Sequence, residues 1–214
     1  MRNRFDEQLF ELNKAIIEMG AMCEDALKNT SKALIEGDLK LAKEVIEDSD
    51  DIDHLEHDIE TRCMKLLLHQ QPVARDLRLI SSVLKMITDM ERIGDQAEDI
   101  AEIIIYLNAD RGVDLKLIKE MADATIDMLT ASIDSFIKKD EVLARKVIGQ
   151  DDIVDDYFIR IKSALIKLIK DNAIDGEYAL DLLMISKYYE RIGDHATNIA
   201  EWVIYSITGI HKEE

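Results

Sequence analysis

The sequence predicts an all-α fold of two pseudo-symmetric three-helix bundles, and three observations carry that expectation. One proline and eight glycines in 214 residues supply little turn chemistry, while Leu, Ile, Ala, Lys, Glu and Met dominate, which favours long helices over strands. Apolar residues recur at spacings of three and four in six segments, with breaks near Gly37, Pro72, Gly112, Lys139 and Gly176. A long motif also occurs twice, once in each half of the chain.

The segments follow from local chemistry. Asp38 and Asp140 are placed as N-caps, each opening a helix after a short turn, and Pro72 sits where a first helical turn tolerates it. Segments of roughly 30 residues extend ~45 Å, so long rods with short connections are expected. Glu91-Arg92-Ile93-Gly94-Asp95 returns as Glu190-Arg191-Ile192-Gly193-Asp194, an offset of 99. The match continues from Ala97, Ile100, Ala101, Glu102, Ile105 and Tyr106 to Ala196, Ile199, Ala200, Glu201, Ile204 and Tyr205. Upstream, Asp38, Ala42, Val45, Ile46, Asp50 and Asp53 match Asp140, Ala144, Val147, Ile148, Asp152 and Asp155 at an offset of 102. The change of offset falls around His69 to Arg78, between the second and third helices, where length varies cheaply. The chain accordingly divides into two three-helix repeats, residues 1–110 and 111–214.

The formal net charge of -18 argues against nucleic-acid and anionic-membrane surfaces, which need Lys and Arg to neutralise phosphates. It also disfavours direct capture of free phosphate, for which no Gly-rich cradle exists. Cys23 and Cys63 lie inside helical patterns and read as buried thiols in a reducing cytosol. Neither a signal peptide, a lipidation signal nor a membrane span is expected, so the protein is placed in the cytoplasm.

In the third helix the apolar seam runs Leu79, Val83, Met86, Met90, Ile93, Ala97, Ile100, Ile104 and Leu107. Glu91, Asp95, Asp99 and Glu102 form an adjacent stripe beside Leu77 and Leu84. Side chains four apart on a helix are neighbours, so Glu91 with Asp95, and Glu190 with Asp194, put two carboxylates on one face. Asp50 with Asp53, and Asp152 with Asp155, do the same on the second helix of each repeat. Should these stripes meet across a bundle, crowded charge is costly and a bound cation relieves it. Oxygen ligands suit magnesium, calcium, manganese or iron better than a histidine-rich zinc site does. The other reading is a solvated acidic face in which Arg92 and Arg191 pair with neighbouring acids.

Gly94 and Gly193 each cost a helix up to ~1 kcal/mol relative to alanine. Either close helix packing or room for a ligand beside Asp95 explains them. His54 and His57 lack counterparts in the second half, where Asp156 and Ile159 stand, and read as surface residues. His195, matching Gln96, is a weak ligand candidate. Trp202, Tyr188 and Tyr189 are assigned to core or interface packing.

The phrase Glu-Arg-Ile-Gly-Asp-x-Ala-x-x-Ile-Ala-Glu, present twice, with Gln71-Pro72-Val73-Ala74-Arg75-Asp76-Leu77-Arg78 before the first copy, resembles the PhoU family over roughly residues 5 to 208. The resemblance implies a cytoplasmic negative regulator of the phosphate-starvation response. Its implied partners are the ATPase subunit of a phosphate ABC transporter and a sensor histidine kinase, with membrane contact through those partners only. A homodimer is the expected assembly. The resemblance further implies divalent or multinuclear metal (iron, zinc, manganese or magnesium) at Glu91 with Asp95 and Glu190 with Asp194. Asp50, Asp53, Asp152 and Asp155 are expected to contribute. The second copy has Thr197 and Asn198 where the first has Glu98 and Asp99, so its site is expected to differ in affinity or number.

Two other function classes are compatible with an acidic helical bundle. A carboxylate-bridged di-iron enzyme would use a Glu-x-x-His pair, and no histidine here has glutamate three residues before it. A metal-free helical scaffold for another transporter would retain no ion. With no phosphate loop, nucleophile elbow or cysteine–histidine pairing, no enzyme activity is expected.

Overall fold

A positive φ of 69° at Gly37 ends the first helix, and Asp38 Oδ1 then accepts from Lys40 N and Leu41 N, both at 3.1 Å, to open the second. Asp140 repeats the device, accepting from Leu143 N at 3.0 Å after Lys139 turns the chain at φ 51°. Asp175 is a third cap, accepting from Glu177 N and Tyr178 N. The computed structural model describes residues 2–69, 73–107 and 113–210. Pro72, Gly112 and the expected repeat boundary at 110/111 lie outside the described residues.

The described residues form α1 (Arg2–Glu36), α2 (Leu39–His69), α3 (Ala74–Tyr106), α4 (Lys116–Lys138), α5 (Glu141–Lys170) and α6 (Gly176–Thr208), with no strand among them. Helices α1, α2 and α3 pack on one another, as do α4, α5 and α6, which gives the two three-helix bundles expected from the repeat. The bundles join along α1 with α4 and α3 with α6. These four helices therefore make the middle of the molecule, and α2 and α5 flank it on opposite sides. No helix among the described residues is long and apolar enough to cross a membrane.

The core is continuous through both bundles. Val83, Met86, Met90, Ile93, Ala97, Ile100 and Ile104 of the expected α3 seam are buried, and Leu79 and Leu107 pack partly buried at its ends. Burying side chains of this size contributes about 1.5–3 kcal/mol each, which makes the apolar seam the main term holding α3 in place. Cys23 and Cys63 are buried as expected, and burial pushes both thiols up to about 12.

The repeat reaches into core hydrogen bonds. Cys23 Sγ donates to Met90 O at 3.3 Å, and Thr125 Oγ1 donates to Tyr189 O at 3.4 Å. Thr125 stands 102 residues after Cys23 and Tyr189 stands 99 after Met90, so both first helices face the same carbonyl of their third helix, although the Thr125 proton goes mainly to Met121 O of its own helix at 2.9 Å. Tyr189 is fully buried, and its hydroxyl is hydrogen-bonded to Thr30 Oγ1 of α1 at 3.1 Å, linking the halves. Tyr188, by contrast, lies on the α3–α6 contact beside Asp99. Trp202 is partly buried and meets Tyr205 edge-on at 5.8 Å.

Candidate metal centre

In the first bundle α2 is pressed onto α3 at Gly94. A Cβ built there would lie 3.1 Å from Ile52 Cδ1 and 3.2 Å from Ile52 Cγ2, so the glycine is explained by close packing. Ile52 is itself buried. Asp53, the next residue of α2, thereby sits beside the acidic stripe of α3.

Asp53, Glu91 and Asp95 each offer a carboxylate oxygen within 4.8 Å of the others, the convergence the sequence suggested for these three. Burial, then the neighbouring charges of Asp95 and Asp50, holds Asp53 above the usual carboxylate range. Burial, then Asp95, does the same to Glu91. Asp53 is exposed and Glu91 and Asp95 are half-buried, so ionising the cluster is moderately costly, and each added charge meets the others. Arg92 relieves some of this from the solvent side, with Nη1 3.1 Å from Asp95 Oδ2 and Nε 3.4 Å from Glu91 Oε2. Its side chain is 56% exposed, so the ion pairs are weak ones.

Asp50 is exposed and lies outside this trio, acting on Asp53 only through its charge. Glu56, one helical turn beyond Asp53, is half-buried, and its charge also raises Glu91. His54 and His57 are exposed, and His57 pairs with Glu60 at 3.7 Å, in keeping with the surface reading. Asp99, which the helical spacing grouped with Glu91 and Asp95, is instead bonded to the Tyr188 hydroxyl on α6.

The second bundle differs in detail. Asp194 is held above the usual range by burial, then Glu190, then Asp155, with Lys187 opposing. Asp151 is raised by burial, then Asp194 and Asp155, and accepts from Thr197 Oγ1 at 3.4 Å. Asp151 is the member that sequence reasoning missed, because its counterpart 102 residues earlier is Ser49. Asp152 is exposed and adds only a weak charge effect on Asp151. Glu190 is ion-paired with Lys187 of its own helix. A Cβ at Gly193 would sit 3.4 Å from Val154 Cγ1, ordinary contact, so α5 stands slightly further off than α2 does.

Three oxygen donors from two helices suit a hard or intermediate divalent ion, which would neutralise their repulsion and cross-link α2 to α3. No histidine belongs to the converging group.

Where the two bundles meet, α3 and α6 cross antiparallel about a pseudo-two-fold. Gln96 and His195, equivalent residues of the two repeats, face each other with Nε2 atoms 3.1 Å apart. His195 Nδ1 lies 2.8 Å from Asp89 Oδ1, which also accepts from Asn198 Nδ2 at 3.1 Å. Across the axis the equivalent of Asp89 is Tyr188, and the equivalent of Asn198 is Asp99, which Tyr188 meets. His195 is therefore a structural bridge at the centre of the molecule, not a member of the acidic groups.

Known proteins share this arrangement. Residues 16–104 and 118–203 each match the family described as PhoU domain. A phosphate-specific transport system accessory protein PhoU homolog of Clostridium acetobutylicum is 36% identical over 97% of this chain and 96% of its own length. One from Aquifex aeolicus is 37% identical over 86% of this chain and 84% of its own. The crystal structure of PhoU from Pseudomonas aeruginosa superposes with a TM-score of 0.92 at 32% identity, covering 96% of this chain and all of that one. The phosphate transport system regulatory protein PhoU from Streptococcus pneumoniae gives 0.91 at 26% identity, over 98% of this chain. These relatives are named for accessory and regulatory roles in transport, not for a reaction. With two PhoU domains on two matching helical bundles, the chain belongs to the PhoU family.

Proposed function

We propose that this chain is a cytoplasmic accessory protein of a phosphate transport system that represses the phosphate-starvation response when phosphate is plentiful. The observation that carries this reading is the doubled Glu-Arg-Ile-Gly-Asp motif on α3 and α6, in a chain similar over nearly its whole length to named phosphate-transport accessory proteins. It works by binding. The ATPase subunit of the transporter and a sensor histidine kinase are the proposed partners, and the acidic surface is complementary to cationic faces on them. A homodimer is the proposed functional unit.

Asp53, Glu91 and Asp95 would hold a divalent or multinuclear metal (iron, zinc, manganese or magnesium), with Glu190, Asp194 and Asp155 as the related group of the second half. The bound ion supplies positive charge where the carboxylates crowd. The chain's own residues do the rest: Ile52 against Gly94 fixes the spacing of α2 and α3, and Arg92 shields the solvent side. Fixing that spacing gives partners a rigid acidic face in place of two helices that repel.

Deletion of the gene, followed by alkaline phosphatase measurement in phosphate-rich medium, tests the regulatory role. Enzyme levels should rise in the deletion strain and return to the repressed level when the intact chain is restored. Levels that stay repressed in the deletion strain contradict it.

A further inference from the structure

We propose that Lys187 is a built-in cation for the second acidic group, so that this chain keeps a divalent ion in its first half alone. The inference rests on the reading that Asp53, Glu91 and Asp95 take such an ion, and adds which of the two related groups is filled.

The halves share the Glu-x-x-x-Asp motif and differ in what faces it. Thr88 of α3 is matched by Lys187 of α6, and Glu56 of α2 by Phe158 of α5. Both changes act together. The Lys187 ammonium is ion-paired with Glu190, and it lies 5.5 Å from the centre of the Phe158 ring, so a carboxylate and an aromatic face hold it from two sides. Glu190 is only 17% exposed against 44% for Lys187. The pair thus occupies one carboxylate of the second acidic group with a cation of the chain's own.

Arg92 does not play this part in the first half. It reaches Asp95 and Glu91 from solvent with a side chain 56% exposed, which makes its ion pairs weak ones, and among the described residues its counterpart Arg191 makes no such pair with Glu190 or Asp194. Among the described residues, the three carboxylates that bring oxygens within 4.8 Å of one another are Asp53, Glu91 and Asp95, and Glu190, Asp194 and Asp155 do not form such a group. An ammonium tethered three residues from Glu190 competes with any ion from solution at a high effective concentration. A divalent ion would have to displace it and leave Lys187 without its carboxylate.

Manganese(II) added to the metal-free full chain, with the ion retained after gel filtration counted by mass spectrometry, tests this. Lys187→Thr installs the first half's residue and should retain roughly twice the manganese of the wild type, by opening a second oxygen-ligand site. Lys187→Arg keeps the charge and should match the wild type. Glu91→Gln with Asp95→Asn should remove the wild-type ion. Circular dichroism confirms that each variant is folded. Lys187→Thr at the wild-type level, while Glu91→Gln with Asp95→Asn still abolishes retention, overturns the role of Lys187 and leaves the first site standing. Wild-type manganese lost in Glu190→Gln with Asp194→Asn also overturns it. No retention by either the wild type or Lys187→Thr overturns the first-site reading with it.

Discussion

His195 on α6 is bonded to Asp89 on α3, Nδ1 to Oδ1 at 2.8 Å, and with Gln96 it pins the pseudo-two-fold on which the two bundles meet. Asp89 and His195 side chains are only 15% and 19% exposed. The Asp89 carboxylate accepts the Nδ1 proton, which leaves Nε2 to accept from the Gln96 amide.

Removing either partner takes one hydrogen bond from a largely buried group that keeps its other partner, Asn198 for Asp89 and Gln96 for His195, which costs about 1 kcal/mol. His195→Ala and Asp89→Ala should each lower the urea midpoint accordingly. The double variant should lose less than the sum, with a coupling of about 1 kcal/mol. Strict additivity would show that the contact does not join the halves.

The two motif glycines should answer differently to alanine. A Cβ at Gly94 meets Ile52 at 3.1 Å and 3.2 Å, whereas at Gly193 the nearest atom is 3.4 Å away. Gly193→Ala should gain up to ~1 kcal/mol from helix propensity. Gly94→Ala should lose about 1 kcal/mol net, because the overpacking it forces against Ile52 outweighs that gain. Thermal melts of the two variants check the split, and equal shifts would contradict the closer approach of α2.

Much of this architecture was legible because helices announce themselves in residue spacing. The α3 seam from Val83 to Ile104 and the caps at Asp38 and Asp140 needed only local rules, and the repeat supplied the two bundles. Pairing between helices was not legible. Asp50 shares a face with Asp53 by spacing, yet is exposed and outside the converging trio, and helical spacing cannot say where along a groove a neighbour stops. Asp151 and Lys187 carry no repeat signal, because their counterparts in the first half are Ser49 and Thr88. Asp99 shares a stripe with Asp95, but α6 turns it to Tyr188, a contact between bundles that no single-helix pattern contains.

Acidity should act in opposite directions on the metal-free and metal-bound forms. Burial and neighbouring acids hold Asp53 and Glu91 above their usual range, so the folded state binds more protons than the unfolded chain. Stability from these groups is fully present below the unfolded carboxylate range and is lost as pH rises through the raised folded values. In a chelator, the wild type should therefore gain thermal stability relative to Glu91→Gln with Asp95→Asn between neutral pH and about pH 4.5. With manganese the stabilisation should shrink over the same interval, because protons compete for ligand oxygens. Melting curves with and without metal check both signs.

The most direct measurement is the metal content of the natively purified full chain beside the Asp53→Asn, Glu91→Gln, Asp95→Asn triple variant. The wild type should carry a divalent metal that survives gel filtration, and the variant should lose it while its helical circular dichroism is unchanged. Equal metal in two equally helical proteins would contradict the assignment of these three carboxylates.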